Sequence, residues 1–125
     1  MAPAPEGLAV YLVYVDVGAI ADWLVRVLGF VDEGRSTNAE GVVTNVELTA
    51  GSTTLLLERG QSDNFSYPRG TRWTGVWVDD PDEWYSRLKG MDVDVKPPED
   101  EPWGVRLVSV RDPEGHVWAL IRRSA

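Results

Sequence analysis

The chain has 125 residues, no cysteine and a formal net charge of −8, from 20 acidic and 12 basic side chains. The length suits one domain, and the missing cysteine excludes disulfides, thiolate nucleophiles and Cys-ligated zinc. The acidic balance argues against nucleic acid, whose phosphates call for clustered Lys and Arg.

No apolar run reaches the length of a membrane span, so no membrane partner is expected. The opening MAPAPEG has neither the basic start nor the apolar stretch of a secretory leader, which makes a cytoplasmic protein the expectation. Residues 8–17 are β-branched and aromatic and predict a buried strand. In residues 19–30, Ile20, Trp23, Leu24, Val27 and Leu28 recur at helical spacing, and Gly29 follows as a C-terminal cap. A more polar strand is expected within 31–40. Residues 41–50 alternate, a turn falls at Gly51 and Ser52, and 53–60 complete a hairpin. Residues 60–72, rich in Gly, Ser, Asn, Asp and Pro, read as a long connection.

The pattern then restarts. Residues 71–80 predict a strand and 81–90 a short helix, with Asp80 as cap, Pro81 in its first position and Glu83 completing a capping-box pattern. Residues 91–98 read as an edge strand closed by prolines. Residues 105–112 and 116–123 read as a hairpin around the turn Asp112-Pro113-Glu114-Gly115. The order strand–helix–strands thus occurs twice, and Val13-Tyr14-Val15-Asp16 echoes Val76-Trp77-Val78-Asp79. The expected fold class is α+β: tandem βαβββ modules whose curved mixed sheets form a cup, with helices outside. Module one spans about 8–60, a linker about 60–71 and module two about 72–123 of a single domain.

Several short motifs carry a resemblance along nearly the whole chain. They are Val15-Asp16, Trp23 and Leu28-Gly29-Phe30 in the first half. The second half has Val76-Trp77-Val78, Pro81-Asp82-Glu83-Trp84-Tyr85, Pro102-Trp103-Gly104 and Asp112-Pro113-Glu114-Gly115-His116. In this order and spacing the sequence resembles the glyoxalase/bleomycin-resistance/extradiol-dioxygenase (vicinal oxygen chelate) superfamily, and within it the antibiotic-binding, bleomycin-resistance type. One departure stands out: the bleomycin-binding pattern is one residue shorter between its Gly and its Arg-Asp-Pro.

The resemblance implies four cup-facing metal-ligand positions in the metal-dependent members. By ungapped spacing they fall on Ala9, near Leu55, on Trp73 and on Ala119, so neither a metal nor another cofactor is expected. His116, the only histidine, lies three residues before Ala119 and by alternation points to the opposite face. A turn-end histidine bonded to nearby backbone is its plain reading. By chemistry it is also the best general-base candidate in the chain.

Strand alternation then lists a cup lining of Ala9, Tyr11, Leu55, Leu57, Trp73, Trp77 and Ala119, with Gly75 open to the close approach of a ligand. Trp103 is expected at the rim, Phe65 and Tyr67 in a flap, and Asn45 and Glu47 as polar contacts, whereas Trp23, Trp84 and Trp118 are expected in the core. Flat indoles suit a planar or a cationic ligand. The function that the resemblance implies, and that these aromatics suit, is sequestration of a planar aromatic natural product, cationic ones included, giving drug resistance without turnover. The alternative is a metal-independent isomerase or cyclase of natural-product biosynthesis using Glu47, Glu58 or His116. The resemblance also implies a homodimer.

Overall fold

The computed structural model describes residues 2–60 and 72–123. The chain divides into two compact units, Met1–Ser66 and Tyr67–Ala125.

In the first unit, β1 (Ala9–Tyr14) leads into α1 (Val17–Trp23), which runs on as a π-helical turn over Leu24–Leu28. Asp16 caps α1 by accepting from the Ala19 N–H at 3.1 Å, satisfying one of the orphan donors of the first turn. Gly29 ends the helical run in the left-handed region at φ 73°, where a side chain would be strained. The strands β2 (Val31–Thr37), β3 (Val43–Ala50) and β4 (Thr53–Arg59) follow, and Ala50 pairs with Thr53 across the two-residue turn at Gly51 and Ser52. The sheet order is β1-β4-β3-β2, with β1 parallel to β4 and the other pairs antiparallel.

The apolar stripe of the helix decides which sheet face is covered. Ile20, Ala21, Leu24 and Val27 are buried together with Tyr14, Val46, Leu48, Leu55 and Leu57, and α1 packs against β1, β3 and β4. This corrects the expected register: Leu55 and Leu57 belong to the core under α1. The residue of β4 that shares the uncovered face with Tyr11 is Leu56, its partner in the parallel ladder.

The second unit repeats the plan. β5 (Trp73–Trp77) leads into α2 (Pro81–Leu88), then β6 (Asp94–Val95), β7 (Glu99–Glu101), β8 (Val105–Arg111) and β9 (Val117–Arg123). The order is β5-β9-β8-β6, with β7 also paired to β8 and β5 parallel to β9. Asp80 caps α2 through Oδ1, which accepts from the Asp82 and Glu83 N–H groups. Arg106 of β8 forks onto Asp82 at 2.8 and 2.9 Å and reaches Asp100 at 3.1 Å, tying α2 and β7 to the sheet. Those contacts hold the Asp82 carboxyl below its usual range and raise the Arg106 guanidinium. β7 was not foreseen, because a Glu-Asp-Glu run has little strand propensity.

The helix-side face of β8 and β9 carries Val108, Val110, Trp118 and Leu120, all buried. Trp118 donates its indole N–H to Asp112 Oδ2 at 3.1 Å, while Asp112 Oδ1 accepts from the N–H groups of Glu114 and His116. Asp112 is itself buried, so this carboxylate takes three donors where water does not reach. Trp23 and Trp118 are core residues as expected, but Trp84 is only half-buried. The architecture is the α+β vicinal oxygen chelate fold, with two curved mixed sheets of the same topology.

Two expectations test these assignments by urea denaturation. Leu57→Ala should cost about 2–5 kcal/mol and Leu56→Ala less than about 1 kcal/mol, because only the first leaves a core cavity. Asp112→Ala should cost about 3 kcal/mol, since it strands three donors that Asp112→Asn would partly satisfy.

Candidate functional site

β5 lies at the edge of its sheet, and its side chains alternate between the α2 side and the opposite face. Thr74 and Val76 face the helix side with Trp118 and Leu120. Trp73, Gly75 and Trp77 stand on the other face, opposite Val117, Ala119 and Ile121. Trp73 is 60% exposed, Trp77 58% and Trp103 67%. Indoles this exposed are unusual in a domain with enough core to bury them.

Trp73 and Trp103 line one hollow of about 300 Å³, together with Lys96, Glu99, Glu101 and Ser109. Each part of the chain here is held by backbone bonds. The Lys96 N–H donates to the Ser109 carbonyl at 2.9 Å, and β7 lays Glu99 and Glu101 opposite Leu107 and Val105. The Gly104 N–H closes the Pro-Trp-Gly turn onto the Glu101 carbonyl at 3.1 Å. The hollow therefore combines two π faces, one ammonium, two carboxylates and a hydroxyl. Such a set can stack a flat ring and hydrogen-bond its polar edge.

The other expected lining residues fall elsewhere. Trp77 lines a separate hollow beside α2, and the Arg123 guanidinium lies 4.3 Å from its ring centroid. Gly75 is exposed between the two indoles, with Ile121 Cδ1 3.2 Å from where a Cβ would stand. Ala119 is buried. In the first unit, Asn45 and Glu47 share a hollow of about 320 Å³ with Glu33, Ser36, Leu56 and Glu58, and exposed Tyr11 pairs with Leu56 beside it. Phe65 and Tyr67 lie outside the described residues. The sequence reading missed Lys96, Glu99, Glu101, Ser109 and Leu56. Ser109 was readable as the cross-strand partner of Ala119, and Leu56 as that of Tyr11, once the pairings were known.

His116 is 2% exposed and lies on the helix-side face. Its Nε2 shares a 2.7 Å hydrogen bond with Thr74 Oγ1, and its ring tilts at 41° against Trp118. Burial drives its pKa down to about 4, with Arg72 adding to the shift and Asp112 opposing it. The ring is therefore neutral at pH 7. It braces β5 against β9 and does not face Trp73 and Trp103.

The sequence family described as glyoxalase/bleomycin resistance protein/dioxygenase superfamily matches residues 8–120. The chain belongs to this superfamily. Among solved structures it is similar to TioX from Micromonospora sp. ML1, with 35% identity, a TM-score of 0.76, and coverage of 95% of this chain and 99% of that one. It is also similar in fold to TnmS3, an antibiotic binding protein from Streptomyces sp. CB03234, with 23% identity, a TM-score of 0.77, and coverage of 99% and 100%. A lactoylglutathione lyase from Agrobacterium tumefaciens shares the fold at 23% identity, a TM-score of 0.70 and coverage of 94% of each chain. No curated protein matches the chain.

The metal used by some members of the superfamily does not suit these residues. The positions that the family resemblance assigns to its ligands by spacing, Ala9, Leu55, Trp73 and Ala119, offer no lone pair to a divalent ion. Leu55 is moreover turned into the core. Among the described residues, no group of three His, Asp or Glu is placed to hold a metal. Likewise, among them no helix is long and apolar enough to cross a membrane.

The lowered pKa of His116 sets a pH dependence. Below its ordinary value of 6.5 the unfolded chain takes up a proton that the folded ring refuses. Stability contributed by the neutral ring is complete above pH 6.5 and falls as pH drops towards 4, by at most about 3 kcal/mol. Urea midpoints of the native protein should show this loss, and His116→Gln should flatten it. The single imidazole should titrate near pH 4 in proton NMR of the folded state.

Proposed function

We propose that the protein binds and sequesters a planar aromatic natural product of the antibiotic type, cationic ones included, without chemical turnover. The observation that carries this reading is the pair of exposed indoles, Trp73 and Trp103, on one hollow of about 300 Å³ whose other polar groups are Lys96, Glu99, Glu101 and Ser109. Two aromatic faces on a rigid sheet edge and turn bind flat rings at little conformational cost. The likeness in fold to an antibiotic binding protein supports the same reading. So does the chemistry of Ala9, Trp73 and Ala119, which offer no donor where spacing expects the superfamily's metal ligands. The reading extends to resistance in the producing cell and to a homodimer, both implied by the family resemblance, and to the cytoplasmic location expected from the sequence.

The enzyme alternative has less support. Its best base, His116, is neutral, buried and turned away from the Trp73 hollow. Glu47 and Glu58 sit together in the first unit's hollow, with no histidine there to complement them.

Tryptophan fluorescence titrations against metal-free bleomycin, mitomycin and an anthraquinone test the proposal. One compound should quench saturably, with chelator present or absent, and should be recovered unchanged. Trp73→Ala and Trp103→Ala should each weaken that binding about tenfold, in line with the loss of one stacking partner. Recovery of an altered compound, or unchanged affinity in both variants, would overturn it.

A further inference from the structure

A second hollow in the Tyr67–Ala125 unit is larger, at about 490 Å³, and shares no residue with the Trp73 site. It lies where β5 ends and α2 begins. Trp77 and Trp84 give it two indoles, Asp79, Asp80 and Glu83 three carboxylates, and Arg87 one guanidinium.

The chain's own arginines report what these indoles accept. The Arg123 guanidinium carbon lies 4.3 Å from the Trp77 ring centroid, and that of Arg87 lies 5.4 Å from the Trp84 centroid. Both distances are within the range of cation–π attraction. Arg123 is not among the residues lining the hollow, whereas Arg87 is.

The carboxylates differ in how far they are committed. Asp82, beside the hollow, is spent on Arg106. Asp80 uses Oδ1 to cap α2. Asp79 gives its backbone carbonyl to Arg122, but among the described residues neither its carboxylate nor that of Glu83 stands in an ion pair. The start of a helix by itself favours anions. The lining itself, with three carboxylates and one guanidinium, opposes that preference, while Arg122 and Arg123 border it at the Asp79 carbonyl and the Trp77 ring. A hard metal ion does not suit the site either, since indoles supply no donor and, among the described residues, no three acids are placed to hold a metal.

We propose that the hollow bounded by Trp77, Trp84, Asp79 and Glu83 is a binding site for a flat organic cation carrying an amidinium or guanidinium group. Arg87 occupies part of it in the free protein as an internal substitute. The ligand stacks on the indoles while its N–H groups donate to Asp79 and Glu83. The site is independent of the sequestration reading and stands or falls separately from it.

The test uses the full chain labelled with ¹⁵N, whose six indole N–H signals are assigned with single Trp→Phe variants. Benzamidine is titrated at constant ionic strength, with neutral benzamide as its isostere. Benzamidine should shift the Trp77 and Trp84 signals saturably and leave those of Trp73 and Trp103 in place, while benzamide moves none. Asp79→Asn and Glu83→Gln, both at exposed positions, should each weaken binding roughly two- to fivefold. Arg87→Gln should strengthen it by removing the competing cation. Equal responses to the two compounds, a response without saturation, or shifts centred on Trp73 and Trp103 overturn the proposal. So does indifference to both Glu83→Gln and Arg87→Gln.

Discussion

The bond from the Trp118 indole to the buried Asp112 carboxylate sets the parity of the second sheet. A strand has only two faces, and moving it by one residue exchanges them. Asp112 is fixed by the turn whose N–H groups it accepts, so Trp118 must point to the helix side of β9. Ala119 and Ile121 must then point the other way. Because β5 runs parallel to β9 with Trp73 opposite Val117 and Trp77 opposite Ile121, the same bond turns both tryptophans of β5 away from the core. His116 braces the arrangement from the helix side through Thr74. The exposure of Trp73 follows from a buried carboxylate across the sheet, and no local preference of the residue itself is required.

In the first unit the parity follows from packing under α1. The apolar stripe of α1 needs partners, and Leu55 and Leu57 supply them with Val46 and Leu48. This is why β4 was misread by one position. Leu55, Leu56 and Leu57 are identical in hydrophobicity, so the run contains no alternation from which to read a face. Spacing from a family's ligand position placed Leu55 outward, whereas burial under α1 places it inward. In β3, by contrast, Asn45 and Glu47 alternate with Val46 and Leu48, and the sequence was sufficient to orient them.

The same contrast explains what else was legible. The tandem order of elements, the Asp80 and Gly29 caps and both hairpins follow from local chemistry: Asp80 before an apolar stripe, Gly29 after one, and turn residues between alternating runs. β7 does not, because Glu99-Asp100-Glu101 forms a strand only through its pairing with β8 and the grip of Arg106 on Asp100. That pairing also delivers Glu99 and Glu101 to the Trp73 hollow, so the missed strand and the missed site residues have one cause. Trp84 looked like core because it lies on the apolar side of a short helix. Eight residues offer about two turns, and Pro81 and Leu88 take the buried positions.

These features bear on what the fold is equipped to do. Alanine, leucine and tryptophan stand where spacing expects the superfamily's metal ligands, and these side chains supply no donor to a divalent ion. The chain's one histidine is withdrawn into the helix side as a neutral brace. What remains on the exposed side of the second unit is a set of aromatic faces with carboxylates and a few cations beside them, held by sheet pairing, a Pro-Trp-Gly turn and a capped helix. Such groups can stack a flat ring and pair with its polar edge. Exposed indoles also carry a hydration cost that the free protein bears continuously and that a flat ligand relieves. These features support the proposed retention of a ligand by the exposed side of the second unit.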